Sequence, residues 1–177
     1  MYDLLQQIKI GSSSSSAAFG AAGILGTTLR HPTLGADGGP ATFRLVKFAS
    51  AITTPSTHVV VTTLSGGIPT WTVDDTTTAN NYLIAGVIPT MTTSIAANDY
   101  GWIQIDGIAK VTSVDTNVVA GDPFGTATIA GRVQGVATAT TLVTALAGSV
   151  YGVRLGAALL AVTAVTATSY VRIDRLL

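Results

Sequence analysis

Few side chains in this sequence are able to do chemistry: two histidines, nine acidic residues and two tryptophans, with no cysteine at all. His31 precedes Pro32 in loop-like sequence and His58 opens a strand-like run, so the pair lacks the spacing of metal ligands. They read as a turn residue and a strand-edge residue. Asp74, Asp75, Asp99, Asp106, Asp115 and Asp122 offer carboxylates for glycoside hydrolysis or for calcium. All but Asp106 fall in turn-like sequence, where aspartate bonds its own backbone. A sugar groove would also call for exposed aromatics, and aromatic residues make up only 6% of the chain. No nucleophile elbow, phosphate loop, zinc-helix motif or EF-hand loop is present. No catalytic residue, cofactor site or metal site is therefore expected. Trp71 and Trp102 read as core or interface anchors.

Composition narrows the class further. Without cysteine, disulfides, thiol catalysis and cysteine-held zinc or iron–sulfur clusters are excluded together. Nine basic and nine acidic residues cancel, and neither sign forms a run, so nucleic-acid binding through a basic patch is not expected. Charged residues amount to 10%, against roughly 25% in ordinary globular proteins. Every acid is Asp; Glu, the best acidic helix former, is absent. Abundant Thr and Val favour strands instead. A surface so poor in charge does little to hold molecules apart, which points to an exterior covered by neighbours in an assembly.

Residues 133–153 carry no charge and are long enough to cross a bilayer. They include Gln134, Gly135, Gly148 and Ser149, however, and match the texture of the rest of the chain, so no membrane span is expected. Asp3 stands where a secretory leader would be basic, and Gln6, Gln7 and Lys9 interrupt the apolar run. A cytoplasmic product is the expectation.

The element that organises the chain is Tyr100–Phe124. Ile103, Ile105, Ala109 and Val111 alternate with Gln104, Asp106 and Lys110, a period of two that separates an inner from an outer face. Trp102 shares the outer face with Gln104, so a second layer or a partner must cover it, and these two residues are the expected subunit contact. Gly107 interrupts the inner row, which marks a bulge or the close approach of another backbone.

Ahead of this strand, Leu4, Leu5 and Ile8 line one side of a short helical turn that needs something to dock on. Gly11 and Ser12–Ser16 follow as a tether, and breakers crowd the sequence to Pro40. Residues 1–40 thus read as an N-terminal arm, which either reaches a neighbouring subunit or is a frayed terminus, and 41–177 as a β domain that folds without it. Strands are expected at 42–50, 57–64, 69–73 and 82–88, then at 126–129, 132–138, 141–146, 150–155 and 169–174. Ala and Leu favour a short helix over 155–162. Ile129–Val136 recurs in outline as Leu146–Val153, suggesting two similar hairpins. The fold class is all-β, a β-sandwich or barrel-like domain with an extended N-terminal arm.

One family resemblance rests on an ordered series. It begins with Tyr100-Gly101-Trp102-Ile103-Gln104-Ile105, with Gly107 and Ala109. Val118 with Ala120-Gly121-Asp122 and Ala130-Gly131-Arg132-Val133 come next. Gly156-Ala157-Ala158-Leu159 and Val171-Arg172-Ile173 complete it. Over residues 98–177 the chain resembles the small head-decoration, or capsid cement, proteins of tailed bacteriophages. The resemblance implies a homotrimeric β domain on the capsid surface of the virion, made in the host cytoplasm. Its partner would be the major capsid protein, and it would have no enzymatic activity and no cofactor. The alternatives are a phage head-fibre or tail component, or a carbohydrate- or receptor-binding module.

Overall fold

The computed structural model describes residues 9–15, 23–65, 68–75, 83–113, 118–126, 129–135, 156–159 and 167–173. Every regular element among them is a strand. In chain order these are β1 (Ser13–Ser14), β2 (Thr28–His31), β3 (Ala41–Phe48), β4 (Ile52–Thr53), β5 (Val59–Ser65), β6 (Ile68–Asp74) and β7 (Leu83–Val87). They continue with β8 (Ser94–Ile95), β9 (Tyr100–Thr112), β10 (Pro123–Thr126), β11 (Val133–Gly135), β12 (Gly156–Ala158) and β13 (Thr168–Ile173). The all-β class is as the sequence indicates.

The pairings close on themselves. β3 lies antiparallel to β9, β9 to β7, β7 to β5 and β5 to β6, and β6 returns to β3 in a parallel pair, Lys47 opposite Thr72 and Phe48 opposite Val73. The result is a five-stranded barrel. Val46, Phe48, Val60, Val73, Ala85, Ile103 and Ile105 fill it. Closure removes the free edges that an open sheet of these strands would expose.

β9 has 13 residues, about 43 Å of extended chain, and it outruns this barrel. Its second half pairs with β13, from Thr112 opposite Thr168 to Gly107 opposite Ile173. From there β12, β10 and β11 follow in antiparallel order. A parallel bridge between Ser113 and Val133 returns the ring to the end of β9. Ala109, Val111, Phe124, Val133, Val171 and Ile173 pack inside this second ring together with Val59, Ile84 and Val87 from the first. One strand is thus a stave of both.

The handover falls at Gly107. Thr42 faces Asp106 and Phe43 faces Gln104, so Ile105 is an extra residue on β9 and a bulge forms. Gly107 has φ +95°, and a Cβ there would lie 2.5 Å from the carbonyl oxygen of Pro40. Of the two sequence readings of this glycine, the close backbone approach is met at Gly107 itself, and the bulge lies two residues earlier, at Ile105.

The expected strands at 42–50, 57–64, 69–73, 82–88 and 169–174 all have counterparts. The short helix expected over 155–162 does not form where the chain is described: Gly156–Ala158 is strand β12, paired on both edges with β10 and β13. The intrinsic preference of Ala for helix, worth less than about 1 kcal/mol per residue, is overridden by two ladders of backbone hydrogen bonds. Pro123–Thr126 is strand where the sequence suggested a closing turn followed by a strand from 126. The second copy of the hairpin repeat and the strands expected at 141–146 and 150–155 lie outside the described residues. Among the described residues, no helix is long and apolar enough to cross a membrane.

Candidate interaction surface

β3 is apolar on both faces, and that double apolarity builds the surface of interest. Val46 and Phe48 enter the barrel, while Ala41, Phe43 and Leu45 point outward beside Tyr100 and Trp102 of β9. An outward row of this kind, left in water, would forgo roughly 1.5–3 kcal/mol for each large side chain. The chain covers it with its own N-terminal residues. Ile24 sits in the same cluster at 2% exposure, with Ile10, Leu25 and Leu34 packed against it. Backbone bonds register the cover: Gly26 N donates to Leu45 O at 2.9 Å, and Leu45 N to Thr27 O at 2.9 Å. β2 then extends β3 with Leu29 opposite Phe43.

The cover on Trp102 is therefore intramolecular. Trp102 is 3% exposed and Gln104 4%. Gln104 shares the face of Trp102, opposite Phe43, and is covered like it; its Nε2 donates to Asp106 O and Ile108 O, on either side of Gly107. A buried amide must spend its donors, and these two carbonyls take both. Leu4, Leu5 and Ile8, the other expected contact residues, lie outside the described residues.

Farther out, β1 lies along the start of β9, with Ser13 opposite Gly101 and Ser14 opposite Tyr100. Ser13 Oγ donates to Asp99 Oδ2 at 2.6 Å, and the same carboxylate oxygen accepts from Ala96 N at 3.4 Å. Gly11, at φ +91°, lies directly under the side chain of Met91. Residues 9–15 thus occupy a defined seat made by Asp99, Tyr100, Gly101 and Met91.

Trp71 stands at the fork where β2 and β6 leave β3. It holds φ +55° in mid-strand, a conformation unusual for so bulky a residue. The Arg44 guanidinium lies 4.2 Å from its ring centroid, and Gly26 lies against its Nε1, where a Cβ would come within 2.5 Å. The second tryptophan is an internal clamp on the cover. A cleft of about 160 Å³ runs between Thr33–Ala36, Val87–Met91 and the stretch of β9 that carries Gln104 and Lys110.

The aspartates are spent on local geometry. Asp37 accepts from Gly39 N, Asp106 from Gly107 N and Asp122 from Val119 N. Asp74 accepts from Asp75 N and from Ser50 Oγ. Among the described residues no group of three or more potential ligands is placed to hold a metal ion.

His58 is the residue whose role the sequence did not reveal. Its Nδ1 is 3.1 Å from Asp75 Oδ2. That hydrogen bond holds the Asp75 carboxyl below its ordinary range, against the opposing effect of burial. Asp75 O accepts from Gly131 N and Gly131 O accepts from Val59 N, both within 2.9 Å. The pair therefore ties the barrel to the turn that enters β11.

No family model matches this chain, and no curated protein does. Among solved structures it is similar to the N base of head fibre gp8.5 in bacteriophage phi29, with 9% sequence identity and a TM-score of 0.47. That likeness covers 76% of this chain and 97% of the other. Nothing about function follows from a likeness of this degree.

Proposed function

We propose that this protein is a non-catalytic structural component of a bacteriophage virion that decorates the capsid and stabilises it by binding the coat lattice. The observation that carries the reading is the exterior. Only 10% of the residues are charged, yet Leu29, Ile68, Met91, Val119, Ile129 and Leu159 are all exposed, Ile68 at 69%. Threonine and apolar side chains are buried against a neighbour at lower cost than unpaired charges. Many modest contacts repeated by symmetry, each of order 1,600 Å² or less, suffice to cement a lattice. The ordered motif series over residues 98–177 supports the same assignment. The barrel and the second ring share β9, which makes them one continuous block.

A glycan-binding role finds less support in the tryptophans. Trp102 is buried, and Trp71 already carries Arg44 on its ring. The partners in this reading are the major capsid protein and further copies of this chain, assembled as a trimer. The test is co-sedimentation of the purified protein with its cognate capsids, alongside sedimentation velocity of the protein alone. A trimer that pellets with capsids at a saturable stoichiometry is expected. A monomer that stays in the supernatant would overturn the assignment.

A further inference from the structure

The seat of residues 9–15 is small. Its contents are two register pairs on β9, the Ser13 Oγ bond to Asp99, Ile10 against the Trp102 cluster and Gly11 beneath Met91. Hydrogen bonds of this kind contribute about 1 kcal/mol each in net terms, so the segment leaves its seat at far lower cost than the barrel unfolds. The eight steps from Ser15 to Gly23 run through Ser, Ala, Ala, Phe, Gly, Ala and Ala and reach at most about 28 Å when extended.

We infer that residues 9–15 form an exchangeable strand: its seat on Asp99–Gly101 accepts the same segment from a second copy of this chain. The occupant is known to fit, because the chain's own segment fills the seat. Exchange therefore loses no contact and makes no new one; it replaces an intramolecular pairing by an identical intermolecular one, which is why swapping of this type is inexpensive. In a lone molecule the tether favours the cis form through its high effective concentration. Where copies stand side by side, the neighbour's seat competes on equal terms, and exchanged arms link the copies. The inference stands on the pairing alone and does not depend on the virion reading.

The absence of native cysteine makes the test direct. A Cβ built on Gly101 lies 3.8 Å from Ser13 Cβ, the mean separation in a disulfide. Chains carrying only Ser13→Cys and chains carrying only Gly101→Cys are unfolded in urea, mixed, refolded at high concentration and oxidised. A mixed disulfide between the two chains, in a yield that rises with protein concentration, is the expected result. The overturning result has two parts. The mixture gives no more hetero-dimer than a control pairing Ser13→Cys with Ser65→Cys, while the double variant Ser13→Cys/Gly101→Cys oxidises wholly within one chain.

The added side chain at Gly101 would press on Phe48, at 3.0 Å, so a second measurement leaves the seat intact. A nitroxide on Lys9→Cys, in unlabelled chains co-refolded with isotope-labelled wild type, should broaden the Asp99–Gly101 amide signals of the labelled chain. Unbroadened signals would sink the exchange. Capsid binding is not read in either experiment, so failure here leaves the proposed function standing.

Discussion

His58 Nδ1 and Asp75 Oδ2 face each other at 3.1 Å at the open end of the β5–β6 hairpin, with Gly131 lying against the imidazole. Because a carboxylate only accepts, Nδ1 carries the proton in this bond. The bond joins the start of β5 to the residue just after β6, and the backbone of Gly131 ties both to the second ring. The first prediction follows from the depressed carboxyl. A group whose folded-state pKa lies below its unfolded value contributes stability above the unfolded value, and that stability is lost as pH falls through the folded one. The ordinary value here is 3.8. The melting temperature of wild type should therefore exceed that of Asp75→Asn at about pH 6, by the equivalent of about 1 kcal/mol. The gap should shrink steadily below pH 3.8. A gap that stays constant in acid would remove the ionic contribution.

Two glycines separate backbone strain from steric blockage. Gly121 and Gly131 both have positive φ, +96° and +71°. A Cβ on Gly121 meets nothing within 4 Å, whereas one on Gly131 would be 2.3 Å from His58 Nδ1. Gly121→Ala should cost about 1 kcal/mol, the conformational penalty alone. Gly131→Ala should cost about 2–3 kcal/mol, since the imidazole must also leave Asp75. Equal losses in denaturant melts would mean that the ring moves aside freely.

How much of this arrangement was legible in the sequence depends on the range of the interactions. β9 was readable because alternation over 100–112 is local, and Gly107 was readable because a glycine in the inner row has few structural meanings. Trp102 needed a cover, but its source was not readable: Ile24 lies far away in sequence and belongs to a stretch of small residues with no period of its own. The apolar residues on both faces of β3, Ala41, Phe43 and Leu45 against Val46 and Phe48, were the overlooked signal that a second layer is present. Ala157 and Ala158 misled because propensity is weaker than two flanking strands. His58 and Asp75 meet at the open end of the β5–β6 hairpin, where Val61 stands opposite Asp74; the register shift between Thr62 and Leu64 helps to set that meeting, and no spacing along the chain announces it.

Truncation should distinguish the two parts of the N-terminal region. The division at residue 40 passes through the turn of a hairpin, since β2 pairs with β3 from Thr28 opposite Arg44 to His31 opposite Ala41. Removing residues 1–15 empties the small seat on β9 and leaves Ile24 and β2 in place. The remaining protein should stay folded and lose no more than about 1–2 kcal/mol. Removing residues 1–40 also strips Ile24 and β2 from Phe43, Leu45 and Trp102, and should produce aggregation or a melting temperature lower by about 10 °C or more, roughly three to five increments of the shift per kcal/mol usual for a chain of this size. Indistinguishable melts for the two truncations would show that the outer row of β3 tolerates water.

Ile24 gives the sharpest single-residue test of the cover. It is 2% exposed and packs against Trp102 in the same cluster, while Gly26, two residues on, presses against Trp71 and bonds Leu45. Ile24→Ala removes three buried carbons from a site bounded on one side by strands that cannot collapse, so a loss of about 2–4 kcal/mol is expected. The substitution should also have a local signature. Trp102 fluorescence, read in a Trp71→Phe background, should shift to longer wavelength and become quenchable by iodide, because water then reaches the indole. Ile68→Ala serves as the control: that side chain is 69% exposed at the end of the β5–β6 hairpin, and its loss should change stability by less than about 0.5 kcal/mol. If Ile24→Ala behaves like Ile68→Ala, the N-terminal cover contributes nothing to the fold, and the outer face of β3 and β9 is instead available to a partner.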